Sequence, residues 1–277
     1  MSFEHGMGVS LETVVEFLEK FGPKFLAEEW DNTGLLIEPY TKQNVTNILL
    51  TNDLTEDVMA EALQVKANLI ISYHPPIFSS LKQITNSSWK GRIIAACLEN
   101  KIAVYSPHTI WDSVPGGVND WLASAFVLDV NYITPIVPSK HLTFENAGAG
   151  RYCQLKENMP LIQAVNNIKQ LIGQPHVQIA LARGLTLEDK IKDVAICAGK
   201  GSSVLNNHPA QLYVTGEMLH HELLQAIHNG SSVILCNHSN SERGFLKHFQ
   251  KKLEEHFINE KVKALISKCD RDPLQFS

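Results

Sequence analysis

Three short apolar runs in this chain each stop at a histidine, and that recurrence limits the fold more than any other feature. They are NLIISYHPPIF (68–78), KIAVYSPHTIWD (101–112) and SSVILCNHSNSERGF (231–245). Each run is rich in β-branched and apolar residues, is too short for a helix, and ends at proline, serine or asparagine. It therefore reads as a buried strand that delivers its last side chains to the edge of a sheet. Segments with helical spacing separate the strands, so the rhythm predicts an α/β fold with mostly parallel or mixed sheets and helices on their faces. In such sheets ligands bind beyond the carboxyl ends of the strands. His74, His108 with Asp112, and His238 with Glu242 all fall there.

Local signals place the remaining elements. LETVVEFLEKF (Leu11 to Phe21) carries apolar residues on one helical face, with Ser10 where an N-cap is expected. Asn32 and Gly34 mark a turn into a strand at Leu35 to Ile37, where Trp30 is expected to anchor the turn in the core. Asp31 reads first as a turn former. A strand at 46–51 leads to a helix from about Glu56, capped by Asp53 or Thr55. PLIQAVNNIKQLIG is an amphipathic helix closed by Gly173. Residues 129–147 lack periodicity and are rich in Pro, Asn and Gly, so they are expected to connect an N-terminal lobe, 1–128, with a C-terminal lobe, 148–277. In the second lobe, AGKGSS follows a strand, and Gly199, Lys200 and Gly201 form either an ordinary strand-to-helix turn or a cradle for an anion. It is not a Walker A motif, because Lys200 precedes Gly201.

Charge and composition narrow the function classes. With 24 basic against 29 acidic residues the formal charge is -5, which argues against a dedicated nucleic-acid surface. No apolar run approaches the roughly 20 residues that span a bilayer, and the first residues resemble neither a signal peptide nor an organelle presequence. The expectation is a soluble protein of the cytoplasm, with the nucleus also open to it. The five cysteines are scattered without a CxxC pair and read as reduced and packed.

Imidazoles gathered with carboxylates form a mixed nitrogen and oxygen ligand set. Such a set suits zinc, iron or manganese better than calcium or magnesium. A dication would also give neighbouring carboxylates a reason to approach one another. For the last run there is a purely structural alternative. Ser239-Asn240-Ser241-Glu242 fits a capping box, in which Glu242 would only hold a helix start. Spacing alone leaves both readings open. Glu217, His220 and His221 crowd the start of another helix and read as polar surface or as support for a site.

Six motifs in order, WDNTGLLIEP, NLIISYHPPIF, SPHTIWDSVPGGVNDWLA, CAGKGSSVL, LYVTGEMLHHE and VILCNHSNSERGFL, resemble those of the NIF-three-like family, also labelled GTP cyclohydrolase type 2-like. DRDPLQFS near the end is most similar to the eukaryotic branch. The resemblance spans nearly the whole chain. It implies two α/β lobes around a metal-binding cleft, with one or two divalent ions held by His74, Asp112, His238 and Glu242, and His108 outside the ligand set. Many relatives insert a domain between the lobes, which 129–147 is too short to contain. Bacterial relatives commonly carry His-His-Pro where this chain has Tyr73-His74-Pro75, and neutral tyrosine is a poor ligand near its ordinary pKa of about 10. The resemblance further implies a homo-oligomer, dimer or hexamer. It leaves two functions in view: a metal-dependent hydrolase of a small phosphorylated or nucleotide-like substrate, with Glu217 or His108 as general base, and a regulatory or scaffold protein that binds other proteins.

Overall fold

A computed structural model describes residues 8–141 and 144–274. The last three residues of the DRDPLQFS motif and the first seven of the chain lie outside the described residues. The chain divides into two compact units, Met1–Ile110 with Leu246–Arg271, and Trp111–Phe245 with Asp272–Ser277.

In the first unit α1 (Leu11–Phe21) starts at Ser10, whose hydroxyl accepts from the Thr13 N–H at 3.1 Å. β1 (Gly34–Ile37) and β2 (Asn47–Thr51) follow, then α2 (Glu56–Gln64), capped by Thr55. β3 (Leu69–Ser72), α3 (Trp89–Glu99) and β4 (Ala103–Ser106) complete the N-terminal part. Every residue of β3 and β4 is buried, which explains their continuous apolar runs. Val58, Ala62, Ile70, Ile93, Cys97 and Val104 fill the core between this sheet and its helices.

α4 (Thr109–Ser113) leads into α5 (Val118–Ala123) and the second unit. Its strands are β5 (Leu128–Thr134), β6 (Val137–Pro138), β7 (Gly148–Ala149), β8 (Arg151–Pro160), β9 (Gln178–Ala180), β10 (Lys190–Cys197), β11 (Leu212–Thr215) and β12 (Ser232–Leu235). α6 (Leu161–Ile172) ends at Gly173 in the left-handed conformation (φ 69°), as expected of a glycine C-cap. α7 (Ser202–Leu205) and α8 (His220–His228) connect the parallel strands. The sheet runs β5-β8-β10-β11-β12-β9, parallel at its centre and antiparallel towards both edges.

The chain then returns. α9 (Phe245–His256) and β13 (Lys263–Ile266) close it, and β13 pairs in parallel with β2. The first sheet is thus β1-β4-β3-β2-β13. Both sheets are mixed, as the rhythm of the sequence predicts. The division of the chain differs from the expected lobes in two places. Residues 128–134 form β5, hydrogen-bonded to β8, where a connector was expected. The segment after Phe245 completes the first unit, because β13 finds its ladder partner in β2. No helix among the described residues is long and apolar enough to cross a membrane.

Candidate functional site

In the first unit the loops after β3 and β4 are bound to one another. The Ser106 hydroxyl and the His108 N–H both donate to the Tyr73 carbonyl, at 2.9 and 3.1 Å. The His74 N–H donates to the Asn52 carbonyl at 2.9 Å, which carries the parallel ladder past the end of β3. His74 and His108 meet edge to face, with ring centroids 5.3 Å apart. Tyr73 is buried beneath both rings, 5.0 Å from His74 and 5.8 Å from His108. The Tyr73 ring is therefore turned away from solvent.

Each of these imidazoles has a carboxylate at Nδ1. Asp53 Oδ1 lies 2.9 Å from His74 Nδ1, and Asp31 Oδ1 lies 2.7 Å from His108 Nδ1. Asp31 also accepts from the Thr109 hydroxyl at 2.5 Å and from the Thr109 N–H at 3.2 Å. Burial pushes its pKa up, but the hydrogen bond and charge of His108 and the two bonds from Thr109 outweigh this, and its pKa lies below the ordinary aspartate value. His108 is held at φ 32°, a conformation that only a well-bound loop retains. Trp30 is not in the core as expected. It is 62% exposed, since its turn is fixed by the polar bonds of Asp31 and Asn32 and needs no buried anchor.

The second unit assembles its residues from the ends of β10, β11 and β12. Asn237, at φ 66°, breaks the strand and turns the chain into the short 3₁₀ turn Ser239–Ser241. His238 Nδ1 lies 3.1 Å from Glu217 Oε1, and His238 Nε2 lies 3.4 Å from Glu242 Oε1. Glu242 is almost wholly buried. It does not serve a capping box: the Ser239 hydroxyl donates to Asp272 at 2.7 Å and receives Arg243 at 2.8 Å, so Ser239 caps no helix. Gly199, at φ 63°, lies against the pair. A Cβ there would sit 2.6 Å from Glu242 Oε1 and 3.1 Å from His238 Nε2. Asp112 belongs to the same neighbourhood, since both its charge and that of Glu242 add to burial in raising the Cys197 pKa.

The Gly199 N–H donates to the Ser241 hydroxyl at 2.8 Å, and the Gly201 N–H to the Thr215 hydroxyl at 3.1 Å. Of the two readings of this turn, the ordinary strand-to-helix turn is favoured, because both glycine N–H groups are committed within the unit, with Lys200 exposed. Glu217, one of the two residues read as a general base, lies 3.1 Å from His238 Nδ1. The sequence reading missed Asp53 and Asp31 as partners of histidines, because they lie 21 and 77 residues away from them.

The family model for Duf34/NIF3 (NGG1p interacting factor 3) matches residues 9–273. NIF3-like protein 1 of Drosophila melanogaster is 50% identical over 267 residues, which cover 96% of this chain and 89% of that protein. The chain belongs to the Duf34/NIF3 family. Among other relatives, NGG1-interacting factor 3 of Saccharomyces cerevisiae is 38% identical over 281 residues, covering 95% of this chain and 96% of the yeast protein. The crystal structure of a Bacillus cereus protein related to NIF3 is 24% identical, with a TM-score of 0.80 over 97% of this chain and 99% of that one. The mixed α/β architecture described above is therefore a NIF3 fold.

Proposed function

We propose that this NIF3 family member binds a divalent metal through His74, Asp112, His238 and Glu242, and uses it to hydrolyse a small phosphorylated or nucleotide-like substrate. The observation that carries this reading is His238, tethered at Nδ1 by Glu217 with Nε2 3.4 Å from the buried Glu242 carboxylate. Metal-binding histidines have this arrangement, with a carboxylate fixing the ring nitrogen that does not ligate. Asp53 treats His74 in the same way. The glycine at 199 keeps open the space that a side chain would fill. Two imidazoles and a carboxylate, those of His74, His238 and Glu242, would make up the donor set. Zinc, iron or manganese fits that set, as one ion or two.

A dication supplies Lewis acidity and makes water acidic enough to ionise near neutral pH. The protein groups supply the rest. Glu217 and Asp53 orient the ligating imidazoles. His108, fixed at Nδ1 by Asp31, has Nε2 to accept a proton. Lys200 offers a positive charge to an anionic group.

Metal analysis of the purified protein beside His238→Ala and Glu242→Ala is the first test, and the expected result is loss of metal in both. Unchanged metal content in both variants removes the site. With metal present, a screen of nucleotides and phosphoesters is expected to find turnover that Asp112→Ala abolishes. A non-catalytic role in binding a regulatory protein is the second reading, favoured by the name of the yeast relative, an NGG1-interacting factor. Bound metal without turnover in that screen selects it. Cytoplasmic or nuclear residence and assembly into dimers or hexamers belong with either reading.

A further inference from the structure

Trp30 and Phe78 hold large apolar rings in water, 62% and 47% exposed. Single exposed hydrophobic side chains are ordinary on protein surfaces. These two are not scattered. Their centroids lie 6.1 Å apart, and both stand edge to face with His108, at 6.0 Å for Trp30 and 6.3 Å for Phe78. Nor are they on loose chain. The Asn32 side chain donates to the Ile77 carbonyl at 2.5 Å, which cross-links the turn carrying Trp30 to the loop carrying Phe78. The Asp31 N–H bonds the Glu28 carbonyl at 3.0 Å, and Pro75 and Pro76 stiffen the approach to Phe78. The turns that carry the two rings are therefore cross-linked before any ligand arrives.

The planes of the two rings are inclined by 60°. We propose that Trp30 and Phe78 form a shelf for a flat heteroaromatic ring of the nucleobase class, Trp30 stacking on its face and Phe78 meeting its edge, with the His108 imidazole beside them. An aliphatic ligand would be served equally well by leucine or isoleucine, whereas exposed π-faces recognise another ring by stacking. His108 Nδ1 is committed to Asp31, which leaves Nε2 as the ring's hydrogen-bonding group for a ligand. This inference rests on the small-molecule reading above and narrows its substrate to one that carries a base.

The test is equilibrium dialysis of the full-length protein against guanosine, adenosine and cytidine, with ribose 5-phosphate as the ringless control. Metal-loaded and metal-stripped samples are run in parallel, and tryptophan fluorescence is followed in the same titrations. The expected result is saturable nucleoside binding that weakens on the order of tenfold in Trp30→Ala, less in Phe78→Ala, and is largely kept in Trp30→Phe. Circular dichroism checks that the variants are folded. Equal nucleoside affinity in wild type and Trp30→Ala overturns the shelf. So does binding of ribose 5-phosphate as tight as that of the nucleosides, or no nucleoside binding in either sample. Nucleoside binding that persists in a protein shown to hold no metal supports the shelf while the metal reading fails. Bound metal without nucleoside binding overturns the shelf alone.

Discussion

Three imidazoles in this protein are restrained by one device, a carboxylate at Nδ1: Asp53 on His74, Asp31 on His108 and Glu217 on His238. The device fixes the tautomer and presents Nε2. Replacing the carboxylate by its amide should therefore spare the fold and weaken the ligand. Glu217→Gln is expected to lower metal affinity by about 10- to 100-fold, read by dialysis against a competing chelator, with little change in urea midpoint. Gly199→Ala should be more severe. Its Cβ would collide with Glu242 and His238, and the left-handed backbone costs about 1 kcal/mol for a residue with a side chain. Metal content is expected to vanish while most of the stability remains. Asp31 gives a pH dependence. Its folded pKa is depressed, so its contribution to stability is complete at neutral pH, starts to fall near the ordinary aspartate value of about 3.9, and is lost as pH drops through the folded value. The difference in urea midpoint between wild type and Asp31→Asn should thus be widest at neutral pH and close in acid. The histidines themselves were legible, because each ends an apolar run. Their partners were not, since nothing local connects Asp31 to a ring 77 residues away.

Elements were readable where their cause is local. Ser10 and Thr55 cap the helices they were expected to cap, Gly173 closes α6, and the apolar run before His74 is a strand, Leu69–Ser72. The Ser239–Glu242 spacing left two readings open because a capping box needs only four residues, whereas the hydroxyl of Ser239 is claimed by Asp272, 33 residues on. The staples between elements were equally hidden. Buried Asn119 on α5 donates to the Asp112 carbonyl at 2.9 Å and accepts from the Ala198 N–H at 2.9 Å, joining α4, which carries Asp112, to the loop that carries Gly199. Arg151, 2% exposed, bonds Asp120 at 2.7 Å and also reaches the carbonyls of Gly148, Gly150 and Val114. Asn119→Ala leaves two buried backbone groups without this partner and is expected to cost about 2 kcal/mol. In the same variant metal affinity should fall, because Asp112 loses its brace. A loss of stability with metal affinity intact would mean that Asn119 supports the fold and not the site.

At the scale of the molecule, the sequence pattern identifies the last strand but not the sheet that receives it. β13 lies beside β2, and the chain around it is bound into the first unit at several points. Glu61 on α2 accepts from the Ser267 hydroxyl at 2.5 Å and from the Lys268 and Cys269 N–H groups at 3.0 and 3.2 Å, and Asp270 accepts from the Asn52 N–H at 2.7 Å. α9 and the residue after it contribute Phe249 and Phe257, whose rings lie 6.3 and 5.4 Å from Phe17 of α1. A fragment ending at residue 128 would therefore expose β2 as a long apolar edge and uncover the aromatic face of α1, both routes to aggregation. A chain in which a flexible linker joins Ile110 to Leu246 and which ends at Arg271 retains the whole sheet and its helices. The second design is expected to unfold cooperatively in urea with dispersed amide resonances, while residues 1–128 precipitate or remain unfolded. Cooperative folding of the shorter fragment would show that β13 and α9 decorate a core already complete without them. The expected result makes the final 26 residues of the first unit, Leu246–Arg271, as much a part of its core as the strands that carry His74 and His108.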